Sequence, residues 1–322
     1  MQTPIVSQVA PGVRMIDTGM AGARALNAVY VFGGPQPCLV EAAPEADGAA
    51  VVGGLEHLGI GPSDLAHIVV THIHMDHAGG AGALLERFPK ARVWVHERGA
   101  PHLANPTRLV ASTARTYGAA RMHELFGGMR ACEPDRITAV TNGDLLDLGD
   151  HRLRVLHTPG HASHHIALHD EAGGAVCTGE AIGSYLPWAT AFRPALPPPE
   201  VDVELALASI ERIRAVAPSA LLTSHFGPTS DPEHACEVAA ERVRAWAEVV
   251  RRSLTAEPDA PTEAIASALR DLARREFIDD AGRPLEEELD RYDALGSIAM
   301  NAAGLARYWR KRWEAGTEQE PS

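Results

Sequence analysis

Cysteine is scarce in this 322-residue chain: Cys38, Cys132, Cys177 and Cys236 lie far apart, and no C-x-x-C pair occurs. That spacing offers neither a disulfide framework nor a zinc knuckle, and it suits a reducing compartment. Positive charge is in deficit, with 29 Lys and Arg against 42 Asp and Glu, a net charge of −13. Phosphate binding relies on a basic surface, so a dedicated nucleic-acid protein is excluded and nucleic acid is not an expected partner. Long apolar runs are absent as well: none approaches the roughly 18 residues that cross a bilayer. The opening segment from Met1 to Arg14 has neither the charged start nor the apolar centre of a signal peptide. No membrane association is expected, and the expected compartment is the cytoplasm. Aromatic residues make up only 5% of the chain, which we read as compositional bias rather than a mark of function. What remains is ordinary for a soluble globular protein, 45% hydrophobic and 22% charged. The length allows one large domain with an appendage.

Along the first part, strands alternate with turns and helices. Val29–Phe32 and Cys38–Glu41 flank a Gly33-Gly34-Pro35 turn and read as a hairpin. A helix follows over about Ala46–Leu58, then the β-branched strand Ala66–Val70, a short helix over Gly80–Phe88 and a strand at Arg92–Val95. Pro106–Arg130 reads as a mostly helical insertion. Strands are predicted at Arg152–Leu156, Ile166–Leu168, Ala175–Thr178 and Ala220–Ser224, with a helical stripe of Val203, Leu207, Ile210, Ile213 and Ala217 before the last. Five prolines between Pro187 and Pro199 predict an extended loop. From about Asp231 the pattern is purely helical. Its stripes are Ala239/Val243/Trp246/Val250, Ile265/Leu269/Leu272 and Leu295/Ile298/Ala302/Leu305/Trp309/Trp313. The division is therefore residues 1–230 as a catalytic domain and 231–322 as an all-helical extension. Its last helix is expected to pack on the main domain, to wall the active site, or to form a homodimer contact.

The chemistry concentrates in Thr71-His72-Ile73-His74-Met75-Asp76-His77, where a hydrophobic strand stops. Imidazole and carboxylate are ligands that zinc and similar divalent ions favour. On an extended segment His72 and His74 point to one side, and a turn can carry Asp76 and His77 to a second point nearby, which suits two ions better than one. Other candidates stand at strand exits: His161 in His157-Thr158-Pro159-Gly160-His161, Glu180 in Thr178-Gly179-Glu180, and His225 before Phe226-Gly227-Pro228. One rim of a sheet could collect them all. A lone histidine at such a place is more often capped or surface-exposed; the shared placement argues for a ligand role. His164 and His165 are either groups that orient the ligands or polar strand residues.

The T-H-x-H-x-D-H-x-G-G run at Thr71–Gly80, the T-P-G-H at Thr158–His161 and the S-H-F-G-P at Ser224–Pro228 resemble the metallo-β-lactamase superfamily in order and spacing. The resemblance spans about Ile5 to Pro228 and implies an α/β fold, a four-layer αββα sandwich with metals at one edge of the paired sheets. It further implies that His72, His74 and His161 hold one ion and Asp76, His77 and His225 a second. At one position the chain departs from the pattern: an aspartate bridges the ions in most members, and here Glu180 stands. Glutamate keeps the charge but reaches about 1.5 Å further. It could bridge, bind one ion only, or leave the second site weak.

The expected cofactors are two divalent ions, zinc first, with iron or manganese as alternatives. A hydroxide held between them is nucleophilic at neutral pH because the metal lowers the pKa of water to about 7. Asp76 is placed to orient it and to hand a proton to the leaving group. Tyr185 is similar to a tyrosine of the lactone-hydrolysing branch and would donate a hydrogen bond to the oxyanion, or simply pack. The insertion at Pro106–Arg130 and the loop residues Leu186, Trp188 and Phe192 are candidate walls for a small-molecule substrate. The expected activity is hydrolysis of a carboxylic ester, lactone or thioester. The alternatives are an iron-dependent, dioxygenase-like oxidoreductase and a scaffold with a relic site. The diiron electron-transfer branch is disfavoured because His74 stands where that branch has glutamate.

Overall fold

The computed structural model describes residues 5–186, 191–276, 278, 282–283, 286–293 and 297–316. Strands β1 (Ile5–Ala10), β2 (Val13–Asp17), β3 (Ala28–Phe32) and β4 (Cys38–Val40) form an antiparallel meander. Helix α1 (Gly48–His57) leads to β5 (His67–Val69), and α2 (Met75–Ala78) with α3 (Ala81–Arg87) leads to β6 (Arg92–His96). Then α4 (Ala100–Ala104), α5 (Thr107–Tyr117) and α6 (Ala119–Phe126) lead to β7 (Ile137–Val140). Each of these connections is a helical crossover, so β4 to β7 pair in parallel. The outcome is a seven-stranded sheet in chain order.

The second sheet starts with β8 (Leu145–Asp147), β9 (Arg152–His157), β10 (Ile166–Asp170) and β11 (Ala175–Gly179), paired antiparallel. A separate hairpin of β12 (Ser184–Leu186) and β13 (Ala191–Arg193) follows. Helix α7 (Val203–Ala215) crosses over to β14 (Ala220–Thr223), parallel to β11, and β15 (Gly227–Thr229) closes the edge. The order is β15-β14-β11-β10-β9-β8. The stretch predicted as a loop from Pro187 to Pro199 thus contains a strand. Ala191, Phe192 and Arg193 keep the backbone N–H that proline lacks, and Pro194 comes just where the pairing stops.

Period-two alternation sorts the strands between two cores. Ala28, Tyr30 and Phe32 face inward with Val40 and Val69, meeting Leu153, Val155, Ile166, Leu168, Cys177 and Leu222 of the other sheet. Val29, Val31, Leu39 and Ile68 fall in the other cluster with Val51, Leu55 and Leu84, as do Leu156, Ala167, Val176 and Leu221 with Ile210 and Ile213 of α7. Burying each such aliphatic side chain contributes about 1.5–3 kcal/mol. Helices outside, two sheets inside: this is the αββα sandwich.

The helices α8 (Pro232–Ala256), α9 (Thr262–Glu276), α10 (Glu286–Asp293) and α11 (Ser297–Glu314) complete the chain. Asp231 caps α8 by accepting from the His234 N–H at 3.1 Å, as an N-cap aspartate does. Val243, Trp246 and Val250 of α8, Ile265 and Leu269 of α9, and Ile298, Ala302 and Leu305 of α11 share one core with Ile210 and Ile213 of α7. In α9 Ala273 takes the buried place expected for Leu272, which is half-buried; Leu295 lies outside the described residues. Trp309 donates its indole N–H to the Ala247 carbonyl at 2.8 Å, tying α11 to α8. Among the described residues no helix is long and apolar enough to cross a membrane.

Candidate metal centre

Strand direction explains the site. β9, β11 and β14 run the same way in their sheet. His161, Glu180 and His225 follow the C-terminal ends of these strands, and the His72–His77 segment follows the end of β5 in the facing sheet. One edge of the sandwich therefore gathers residues more than a hundred positions apart. Two groups of ligand atoms result, each with all its atoms within 4.8 Å of one another: His72, His74, His161 and Glu180, and Asp76, His77 and His225.

In the first group His74 Nδ1 lies 2.9 Å from both His72 Nε2 and His161 Nε2. Glu180 Oε2 is 3.1 Å from His161 Nε2 and 3.4 Å from His72 Nε2. In the second, Asp76 Oδ2 is 3.4 Å from His77 Nε2 and 3.3 Å from His225 Nε2. Glu180 Oε2 also lies 3.4 Å from His77 Nε2, while its Oε1 is 4.0 Å from His225 Nε2. This carboxylate therefore stands between the two groups. Its extra methylene is accommodated by backbone: Gly179 has φ +53, and a Cβ there would sit 2.5 Å from His165 Nε2 and 2.7 Å from Thr71 Oγ1. Only glycine lets β11 end that close to the histidines. His165, fully buried, accepts the Glu180 N–H on Nε2 at 3.1 Å while its Nδ1 pairs with Thr158 Oγ1 at 2.8 Å. His165 thus holds the Glu180 backbone.

The far nitrogens of the rings are committed elsewhere, which turns the near ones inward. His161 Nδ1 donates to the Ala195 carbonyl at 2.9 Å and His225 Nδ1 to that of Leu26 at 2.6 Å. His72 Nδ1 pairs with Thr71 Oγ1 at 3.0 Å. His77 Nδ1 donates to Glu41 Oε1 at 3.0 Å. Glu41 was missed in the sequence. It is a buried acid at the end of β4, and it also accepts from Thr71 Oγ1 at 2.6 Å, the Thr71 N–H at 3.2 Å and Ser224 Oγ at 2.8 Å.

Burial and the neighbouring His77, His74 and His161 rings keep His72 well below the usual imidazole range, and burial with His161 brings His74 down to about 3. Both are neutral, with lone pairs converging on one point. Burial opposes charge on His77 too, yet Asp76 and Glu41 hold that ring well above its ordinary value. Burial would raise Asp76 and Glu180, but His77 and His225 beside Asp76, and His161 and His77 beside Glu180, hold both below the usual carboxylate range. Imidazole nitrogens facing ionised carboxylates at these separations are the donor set a divalent cation takes, the cation replacing the proton that the acids favour on His77 and His225; nitrogens around a tetrahedral zinc stand roughly 3.4 Å apart. The residues fit two adjacent ions.

A cavity of about 360 Å³ opens over this floor. Ile73, Met75, Leu109, Tyr117 and Phe126 are among its apolar and aromatic lining residues, and His102, Arg108, His164, Arg193 and Glu200 among its polar ones. The α5–α6 insertion thus lines this cavity, and Met300 and Asn301 bring α11 into it. Phe192 and Tyr185 are placed away from this lining, Tyr185 in the packing role left open for it. Phe192 is buried in the core and packs its ring on Tyr185 at 4.9 Å instead of facing substrate. Tyr185 is not among the cavity-lining residues; its backbone N–H donates to the His225 carbonyl and its carbonyl accepts from Phe226 at 3.1 Å, so it braces the loop that carries His225. Trp188 and the Leu186 side chain lie outside the described residues. The phenol that does face the floor is Tyr117, whose pKa is raised by burial and by the nearby Asp76 and Glu180 carboxylates. His102, passed over in the sequence, also lines the cavity.

Fold and site together define a metallohydrolase-type sandwich with a paired histidine–carboxylate centre. Residues 12–225 match the family model of the metallo-beta-lactamase superfamily, and the chain belongs to that superfamily. It is 29% identical over 171 residues to the metallo-beta-lactamase fold-containing protein ST1585 of Sulfurisphaera tokodaii, across 52% of this chain and 62% of that one. The solved structure of ST1585 superposes with a TM-score of 0.64 at 22% identity, covering 91% of this chain and 98% of its own. An N-acyl homoserine lactonase from a Bacillus species is 28% identical over 244 residues, 72% of this chain and 82% of the lactonase. The human acyl-coenzyme A thioesterase MBLAC2 is 33% identical over 129 residues, 37% of this chain and 43% of the thioesterase.

Proposed function

We propose that the chain is a hydrolase with two divalent ions, zinc by preference, cleaving a carboxylic ester, lactone or thioester of a small, partly apolar molecule. The observation that carries this reading is Glu180 Oε2 standing within 3.4 Å of ligand nitrogens from both groups, His72 and His77. A carboxylate placed in this way would serve both cations. Divalent ions there supply Lewis-acid polarisation of a carbonyl and acidify a water to a pKa of about 7. The remaining work belongs to the chain. Asp76, held ionised by His77 and His225, would hold an ion through Oδ2 and keep its other carboxylate oxygen to take a proton from the attacking water and return it to the leaving oxygen or sulfur. Tyr117, kept protonated by burial and by its carboxylate neighbours, donates a hydrogen bond to substrate across the cavity. The apolar wall of Ile73, Leu109 and Phe126 favours an acyl or alkyl portion. The lactonase and thioesterase relatives support the same reaction class.

The test is metal analysis of the purified protein beside Glu180→Asp and Glu180→Ala, each assayed on a panel of lactones, esters and thioesters. Wild type should carry two equivalents. Glu180→Ala should lose at least one and drop in kcat/KM by more than the 10–100-fold typical of removing an outer orienting group. Retention of both equivalents and full activity would remove Glu180 from the ligand set. Oxygen uptake in the same samples, with iron as the resident metal, would instead favour redox chemistry.

A further inference from the structure

The C-terminal helix α11 reaches the metal floor through one peptide group. Asn301 on α11 is buried, and its Oδ1 accepts the Leu196 N–H at 2.7 Å across 105 positions of sequence. The carbonyl of that same peptide unit belongs to Ala195, and it is this oxygen that receives His161 Nδ1 at 2.9 Å. A trans peptide is planar and rigid, so its N–H and C=O point to opposite sides and turn together. Whatever holds the N–H therefore aims the C=O. Helix α11 also seats the following peptide: Gly304 lies so close that a Cβ there would be 2.0 Å from the Leu196 oxygen and 2.9 Å from the Pro197 carbonyl carbon.

We propose that Asn301 is a positioning residue for His161, acting through the 195–196 peptide plane. The inference rests on the reading of His161 as a metal ligand. With Leu196 N–H bound to Asn301, the Ala195 oxygen is fixed against the ring, His161 is kept in the Nδ1-protonated tautomer, and Nε2 is left to face His74 and Glu180. Hydrogen bonding at the N–H also polarises the peptide, making its oxygen a better acceptor and the imidazole a stronger donor ligand. Release of the N–H frees the plane to rotate and carries the Ala195 oxygen away. The helical extension then belongs to the working parts of the centre as well as to its outer packing.

Cobalt(II) titration of the metal-stripped protein, followed by visible absorption, tests this. Wild type should take two equivalents. Asn301→Ala should bind the tighter equivalent about 10–100-fold more weakly, the loss that outer-sphere partners of metal-bound histidine produce, with circular dichroism unchanged. Asn301→Asp, which keeps an Oδ acceptor, should recover most of that affinity. In the wild-type zinc protein, imidazole ¹H–¹⁵N spectra should show His161 protonated on Nδ1, a readout that needs no variant. Asn301→Ala binding cobalt like wild type, Asn301→Asp failing as badly as alanine, or His161 protonated on Nε2 would each overturn the proposal while leaving the two-ion reading intact. A wild-type protein that takes up no cobalt would overturn both.

Discussion

Glu41 sits in the left-handed region at φ 70 and is 1% exposed, two costs that a carboxylate bears only where its oxygens are fully used. They are: donors from Thr71, Ser224 and His77 converge on it, drawn from two separate segments. Replacing it by glutamine keeps the shape but sets an amide N–H₂ against groups that are themselves donors. Glu41→Gln should lower stability by about 1–3 kcal/mol in urea denaturation and weaken one metal equivalent about 10–100-fold; unchanged metal binding would show that His77 needs no anionic partner. Asp47 works in the opposite sense. Burial lifts its carboxyl to about 6, although Thr18 Oγ1 donates to it at 3.1 Å. The folded state therefore binds this proton more tightly than the unfolded chain, and Asp47 lowers stability progressively as pH rises from about 4 to about 6. Asp47→Asn should raise stability at pH 7 by about 1–2 kcal/mol, less than the full linkage value because water reaches part of the group. The gain should vanish at pH 4, and a gain that persists there would mean that charge is not its cause. The clustered histidines were legible because residue type and strand-end position coincide within a few letters. Glu41 was not, since its partner His77 lies 36 residues away and a single acid after an apolar strand carries no pattern.

Among elements, α5 and α6 separate this chain's cavity from a bare sandwich edge. Their helical character was readable from periodicity between Pro106 and Arg130, but the face turned toward the metals was not. Leu109, Thr113 and Tyr117 fall on one side of α5 at helical spacing, and the Tyr117 ring packs edge-on against Phe126 of α6 at 5.4 Å. The tyrosine sought at 185 belongs instead to the β12–β13 hairpin, where pairing with Phe192 consumes its ring. The ring contact with Phe192 holds Tyr185 in the hairpin, and local spacing holds no record of that contact. Tyr117→Phe removes one hydroxyl and leaves the apolar wall in place. It should reduce kcat by about 10²-fold with little change in KM, as for loss of one donor to a developing oxyanion. A rise in KM alone would reassign Tyr117 to ground-state packing, and Tyr185→Phe should leave kcat nearly unchanged.

At the scale of the molecule the centre is a clasp between layers. One sheet contributes the His72–His77 segment from the end of β5, the other His161, Glu180 and His225 from β9, β11 and β14, and α11 reaches in through Asn301. Ions bound there would add a link between parts of the chain that already meet through apolar contact between the sheets and through hydrogen bonds such as Ser224 Oγ to Glu41 and Tyr30 to the Thr223 carbonyl. The binding free energy appears as stability because the unfolded chain cannot reproduce the site. At free metal a thousand times Kd the gain is about 4 kcal/mol per ion, and a chain of this size converts each kcal/mol into roughly 2–4 °C of Tm. Chelation should therefore lower Tm by on the order of 10 °C or more at pH 8. Protons compete for the same nitrogens, and most effectively at His77, which Asp76 and Glu41 already pull toward protonation despite its burial. Acidification to pH 6 should thus narrow the gap between metal-loaded and chelated protein, with the equivalent held by Asp76, His77 and His225 leaving first. Thermal melts of both forms at the two pH values, with metal retained at each measured by mass spectrometry, decide the matter. Equal Tm with and without chelator at pH 8 would mean that the sandwich closes without its cations and that the histidine clasp contributes to chemistry alone.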